Sequence, residues 1–390
     1  MKRIAAGILA FTMFAAAGCS GTQSGTTGST SGTGASQGQT VKIGFIAPLT
    51  GDAKTYGESA KKGFDLALEQ AGNKAGNFTV AVTTGDDRND PTEGVNLATK
   101  MITQNQVKAI VGAVTSSVTI PVSEVANSSK IVMITPTGTA AKATVDDKGA
   151  RKPFAFRAPF IDPFQGQVAA KFAIENLKVK TAAVLYDKGN DYSVGLMEEF
   201  QKTFIAKGGT VVTSLSYGKD DTDFSAIMTN VAAKKPDMIY LPDYYNKVSL
   251  IAKAAKAKGL TVPLVGADGW DSADLDTAAL DGGYFTNHYS ADDPSPAVQK
   301  FVKDYEAKYK VKPDSFAALG YDATNMLLEA IKQADSSDSE KIRAALQGLK
   351  DFAAVGGKLS FDQNGNPIKA AAILQVQAGK GYKFITSVQP

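Results

Sequence analysis

From Val41 onward, short apolar runs rich in β-branched residues alternate with longer segments whose apolar residues recur at helical spacing. VKIGFIAPLT precedes a segment near Gly57 in which Ala60, Phe64, Ala67, Leu68 and Ala71 share one face. FTVAVTT precedes a helix over Pro91 to Gln104, KAIVGAV one over Ile120 to Ser128, and KIVMIT closes the series. Such runs are apolar on both faces, so their sheet must be covered on both sides, and neighbouring parallel strands need a crossover helix between them. The expectation is an α/β, doubly wound parallel sheet.

A second series follows PFAFRAPFIDP. It reads as a helix near Gln167 to Leu177, TAAVLY, a helix carrying Val194, Met197, Phe200 and Phe204, and TVVTSLSY. A helix with Phe224, Ile227, Met228 and Val231 comes next, then DMIYLP, a helix around Val248 to Ala257, and VPLVG. Beyond Gly282 the pattern predicts helices at Pro296 to Tyr309, Phe316 to Ala334 and Ser339 to Leu346, then a hairpin of KLSFD, an Asn364-Gly365 turn and AAILQVQ. Those late helices must cover exposed sheet. If they return to the first lobe, the chain crosses near Arg157, Thr286 and Val355, giving one lobe of residues 41–157 with 287–355 and another of 158–286 with 356–390. Several short crossings form a hinge.

The 390-residue chain has a net charge of +3, which argues against a nucleic-acid surface. Its single histidine, His288, leaves no set of histidines for zinc and reads as a loop or hinge residue. MKRIAAGILAFTMFAAAGCS has a positive start and an apolar stretch of signal-peptide length, so residues 1–18 read as a signal peptide. The AAGC that ends it resembles the lipobox of bacterial lipoproteins, with Ala16 where leucine is usual and Cys19 as the lipidated residue. Cys19 is the only cysteine, so no internal disulfide is available. Residues 19–40, almost all Gly, Ser, Thr, Gln and Ala after Cys19, read as a flexible tether spanning roughly 25 Å.

Two strand-to-loop junctions carry the functional signal. KAIVGAVTSS ends in Ser116 and Ser117, and KIVMITPTGT ends in Thr137, Gly138 and Thr139. Open α/β sheets bind ligands at such strand ends, and small hydroxyl residues with glycine offer hydrogen-bond groups there. Ser116 or Ser117 as a nucleophile would lack a convincing base. DQNGNP at Asp362 lacks the later acidic residues of a calcium loop and fits a turn. Neither a metal nor a cofactor is expected.

IGFIAPLTGDAKTYGES, DDRNDP, AIVGAVTSS with VTIP, VMITPTGTA, FRAPFIDPFQG, VLYDKGNDYSVGL, DFSAIM and LVGADGWDS occur in an order and spacing that resembles the solute-binding proteins of bacterial branched-chain amino acid ABC transporters, the Leu/Ile/Val-binding type. The resemblance spans nearly all of Val41 to Pro390. It implies a type I periplasmic binding fold of two lobes joined by a three-segment hinge. The function it implies is that of an extracytoplasmic monomer that captures an aliphatic amino acid and delivers it to permease subunits, here anchored to the membrane by lipid. It also implies that Ser116 and Thr139 hold the ligand carboxylate, that Thr137, Thr139 and Asp268 take the amine, and that Tyr56, Ser117, Gly138, Tyr192, Tyr244 and Trp270 line the cleft. Asp268 stands where the leucine binder has Glu, and Asn89 and Thr115 replace the disulfide of some relatives, leaving packing alone to hold the junction before Ser116. A sensor of another small carboxylate, amide or aromatic acid is the alternative, since the fold hosts those too.

Overall fold

The structure is a computed structural model that describes residues 39–389. Its first sheet forms from β1 (Thr40–Ala47), β2 (Lys74–Ala75), β3 (Phe78–Asp86), β4 (Ala109–Val111), β5 (Val132–Thr135) and β6 (Ala155–Arg157), in the order β2-β3-β1-β4-β5-β6. All neighbours are parallel except β2 with β3. The crossovers are α1 (Lys54–Gln70), α2 (Pro91–Thr103) and α3 (Ser116–Ser128). Asp90 starts α2 by accepting from the Thr92 and Glu93 amides at 2.8 and 3.0 Å, with Pro91 supplying the fixed φ of a first helical turn.

After Arg157 the chain builds a second sheet. It runs through α4 (Asp162–Glu175), β7 (Thr181–Asp187), α5 (Asp191–Ala206), β8 (Thr210–Tyr217), α6 (Ser225–Lys234), β9 (Met238–Tyr240), α7 (Tyr245–Ala257), β10 (Leu264–Gly266) and β11 (Tyr284–Asn287). Strands β11-β10-β9-β7-β8 are parallel throughout. The chain then forms α8 (Pro296–Tyr309), α9 (Ser315–Ala334) and α10 (Ser339–Gln347), a small hairpin of β12 (Phe352–Ala354) and β13 (Gly357–Leu359), and finally β14 (Ala371–Gln377) and β15 (Gly381–Val388). These last two strands add antiparallel to β11 and complete the second sheet.

Helix α9 lies against α1 of the first sheet. The approach is so close that a Cβ on Gly63 would strike the Ala317 carbonyl and one on Gly320 the Ala60 carbonyl. Glycine at each contact lets the two backbones meet. Phe316, Leu319, Ala323, Met326, Leu327 and Ile331 thereby join Phe45, Ala60 and Phe64 in one core.

Two sequence expectations need correction. AAILQVQ pairs with Gly381–Val388, not with KLSFD; around Asn364-Gly365 only an isolated Phe361 to Pro367 bridge forms. The turn itself is real, since Asp362 accepts from the Asn364 and Asn366 amides at 2.8 Å and Gly365 has φ +72°. Helices α3 and α4 also begin earlier than their apolar periodicity indicates, at Ser116 and Asp162 instead of Ile120 and Gln167. Both starts lie at the site.

Candidate functional site: an enclosed void between two sheets

The first sheet contributes two loops stitched to each other. Thr135 Oγ1 donates to the Ala113 carbonyl at 2.7 Å and accepts from the Gly138 amide at 2.8 Å, while Thr137 Oγ1 donates to the Val114 carbonyl at 2.6 Å. Ser116 Oγ accepts from the Ala140 amide at 3.2 Å. Beneath them the buried Arg157 guanidinium donates to the carbonyls of Gly138 and Ala140 at 3.0 and 2.8 Å. Burial lowers its pKa to about 10, so the guanidinium is still charged at neutral pH.

Helix α3 starts on this platform without a side-chain cap. Thr115 holds the cap position, but its hydroxyl is spent on Asn89 Oδ1 at 2.7 Å. That hydrogen bond joins the two positions where a disulfide had been expected in relatives, so the junction is not held by packing alone. The first amides of α3 are left without intrahelical acceptors, and they carry the positive end of the helix dipole.

The second sheet contributes a single turn of 3₁₀ helix, Asp268–Trp270, directly after β10. Asp268 Oδ1 accepts from Gln165 Nε2 at 2.9 Å and from the Tyr192 hydroxyl at 2.8 Å, and its Oδ2 lies 3.0 Å from His288 Nε2. Gln165 is itself fixed, accepting from the Asp268 amide at 3.0 Å and the Thr286 hydroxyl at 2.6 Å. The His288 ring packs on Phe160 with centroids 3.8 Å apart. Burial lowers its pKa against the pull of Asp268, so it is a neutral imidazole donating from Nε2. Next to them Asp162 is buried, with the Thr139 and Gln165 side chains the nearest polar groups to its carboxyl. Burial first, and the charge of Asp268 second, push its pKa well above the ordinary carboxylate range.

Aromatic residues close the space. Tyr56 donates to the Gly269 carbonyl and accepts from the Tyr245 amide at 3.2 Å, and Tyr245 donates to the Asp52 carbonyl at 2.7 Å. Each of these bonds ties a residue of the first sheet's layer to one of the second's, so the two faces are shut on each other. Phe316 stacks on Tyr56 at 4.2 Å, and Tyr244 stacks on Tyr192 at 5.1 Å. Between the walls is a void of only about 10 Å³, room for about one water.

Ser116, Thr137, Thr139, Asp268, Tyr56, Tyr192 and Tyr244 all line this void. Three of the expected cleft residues do not line it, although one of them, Ser117, lines a neighbouring cavity between the same two layers. Ser117 lines a larger cavity at the mouth, and Gly138 packs behind the loop against Thr119 and Thr135. Trp270 is fully buried in the second sheet's core, donating from Nε1 to the Leu241 carbonyl at 3.1 Å, because the glycine at Gly266 makes room for its indole. Cys19, the signal peptide and nearly all of the tether lie outside the described residues. Sequence reasoning missed Phe316 on the wall and the buried set of Gln165, His288 and Asp162 behind it. Gln165 and Asp162 sit in FRAPFIDPFQG, whose recurrence was visible but whose roles were not.

Residues 40–381 match the model of the periplasmic binding protein family. The chain is 31% identical to the Leu/Ile/Val-binding protein BraC3 of Rhizobium johnstonii, over 87% of this chain and 92% of that protein. Among solved structures it is similar to the leucine binding protein LivK of Thermotoga maritima, with 35% identity, a TM-score of 0.86 and coverage of 90% of this chain and 99% of that one. A solute binding protein of an R. palustris ABC transporter in complex with benzoate is 26% identical, with a TM-score of 0.81 over 90% of this chain and 97% of that one. Two parallel-dominated sheets with a void between their strand ends are the type I architecture, and the chain belongs to the periplasmic binding protein family. It is a solute-binding protein of the ABC-transporter type, working outside the cytoplasm in a family of binders, not enzymes.

Proposed function

We propose that the protein captures an aliphatic amino acid of the branched-chain type between two lobes and delivers it to the permease of an ABC importer. What supports this most is the opposed polarity of a small, closed void. One wall offers hydroxyls and an uncapped helix N-terminus, suited to a carboxylate, and the other a buried carboxylate, suited to an ammonium. Ser116, Thr139 and the first amides of α3 receive the ligand carboxylate; the Thr137 carbonyl, the Thr139 hydroxyl and Asp268 receive the amine. Tyr56, Tyr192, Tyr244 and Phe316 enclose the side chain with apolar area.

Each charge-assisted hydrogen bond contributes roughly 1.5 to 3 kcal/mol. Two held ends and a buried aliphatic chain can therefore reach the roughly −8 kcal/mol of a micromolar complex. The lobes close by a hinge at the three chain crossings. The protein acts as a monomer, anchored by lipid at Cys19.

The benzoate-bound relative favours a second reading, an aromatic acid. Asp268 weighs against it, because a ligand without an ammonium leaves that carboxylate facing the void with no compensating charge. A thermal-shift screen of the amino acids and of benzoates against the purified mature protein separates the two. Leucine, isoleucine or valine should raise the melting temperature; a shift with benzoates and none with amino acids would replace the proposal by the second reading. Replacing Cys19 by Ala should release the protein from membranes, and undiminished membrane association would reject the anchor.

A further inference from the structure

The chain passes between the layers of the two sheets beside Phe160, after β6, and again at His288, directly after β11. The two residues meet there ring on ring, with centroids 3.8 Å apart. Gly356, in the turn between β12 and β13, adds a third contact, since a Cβ on it would lie 3.4 Å from the His288 carbonyl. On the strand side the His288 amide donates to Asn287 Oδ1 at 2.8 Å, which fixes the backbone. From this point the imidazole reaches to 3.0 Å from Asp268 Oδ2 and is that oxygen's one hydrogen-bond partner among the described residues. The other side-chain donors to Asp268, Gln165 and Tyr192, both go to Oδ1 and both come from helices of the second layer, α4 and α5. His288 Nδ1 is buried and unpartnered, so the polar link of the ring is the one to Asp268.

We propose that His288 is a positioning residue for ligand recognition: braced on Phe160 where the chain crosses between the layers, it holds the Asp268 carboxylate toward the ammonium of the ligand. This rests on the amino-acid reading above and gives it a residue that does not itself line the void. A buried carboxylate oxygen is tolerated when it is hydrogen-bonded and is costly when it is not. Without the imidazole Oδ2 has no donor, because Phe160, the ring's other neighbour, is apolar. The terminal torsion of aspartate is broad, so the carboxylate then turns away from the place where it would meet the ammonium. The groups of the first layer that would hold the other end of the ligand are untouched. His288 therefore acts on recognition of the ammonium alone.

The test is calorimetric titration of the mature protein with leucine and with its 2-hydroxy analogue, which keeps the carboxylate and side chain but carries a hydroxyl in place of the ammonium. His288→Leu should lower the ratio of leucine to analogue affinity by about five-fold or more, the weight of one hydrogen bond. His288→Gln, which keeps a terminal N–H donor, should restore most of that ratio. Phe160→Ala leaves the imidazole but takes away its brace, so it should shift the ratio the same way and add nothing in the His288→Leu background. His288→Met replaces the His288→Leu protein if that one does not fold. A histidine that merely supports the fold would weaken both ligands alike. An unchanged ratio in His288→Leu, a ratio equally low in His288→Gln, or an unchanged ratio in Phe160→Ala would overturn the proposal. Wild-type protein with no preference for leucine over the analogue ends the amino-acid reading and this inference with it, whereas a preference that survives intact in His288→Leu ends this inference alone.

Discussion

In the proposed site Asp268 is the residue that would face the ligand's ammonium, and three neutral donors hold its carboxylate in place. Asp268→Asn removes the charge and sets an amide among groups that all donate, so ligand affinity should fall by about 1 to 3 kcal/mol in calorimetry. Near-wild-type affinity would remove Asp268 from the amine site. A smaller effect is expected at the hydrogen bond that stands in the disulfide's place. Thr115→Val deletes its donor to Asn89 and should cost about 1 kcal/mol of stability, read as a lower melting temperature. The sequence pointed to Asp268 only through the resemblance of GADGWD to relatives, and it gave no sign of His288's partner, because a lone histidine after a strand looks the same whether it faces solvent or a buried carboxylate. Trp270 was misleading for the same reason. Its sequence position beside Asp268 is compatible with either side of the 3₁₀ turn, and only the space above Gly266 decides which.

Helix α3 shows why elements at a site are hard to delimit from sequence. Its first turn, Ser116 to Thr119, consists of poor helix formers, and Pro121 reads as a boundary. Tertiary packing overrides this: Val118 and Val122 are buried in the core shared with Ala98 and Met101, and a Cβ on Gly94 of α2 would strike Val118. That contact sets how far α3 stands from α2 and so where its free amides point. Gly94→Val should therefore lower stability by roughly 1 to 3 kcal/mol and weaken ligand binding as well. Loss of stability at unchanged affinity would separate the helix position from the site. The parallel strands were legible because their apolar runs are continuous. The terminal hairpin was not, since Asn364-Gly365 is a strong local signal while the true partner of AAILQVQ is fixed by the sheet edge at β11.

The molecule as a whole is shut around its void, and a ligand held only in that state stabilises it by mass action. At a hundred times Kd the gain is roughly 2.7 kcal/mol, visible as a raised melting temperature. Where the chain returns toward the second sheet, Asp322 is buried, accepts from the Val355 amide at 2.9 Å, and is pushed up by burial to about 7 despite the nearby charge of Lys369. An unfolded aspartate titrates near about 3.9, so between that pH and about 7 the folded form keeps a proton that the unfolded form has shed. The stability this group contributes is full below the unfolded pKa and is lost as pH rises through the folded one. Asp322→Asn should flatten that part of the decline, and an identical pH profile of melting temperature would count against it. The crossings have a further consequence for how the chain matures. Neither sheet's layer is continuous in sequence: α9 covers the first only after the second is nearly built, and β14 and β15 finish the second last of all. A chain emerging in order thus leaves the apolar face that α9 covers bare until most of it is out. Cutting it between the layers would give two halves prone to aggregate, each lacking a part the other's segment carries.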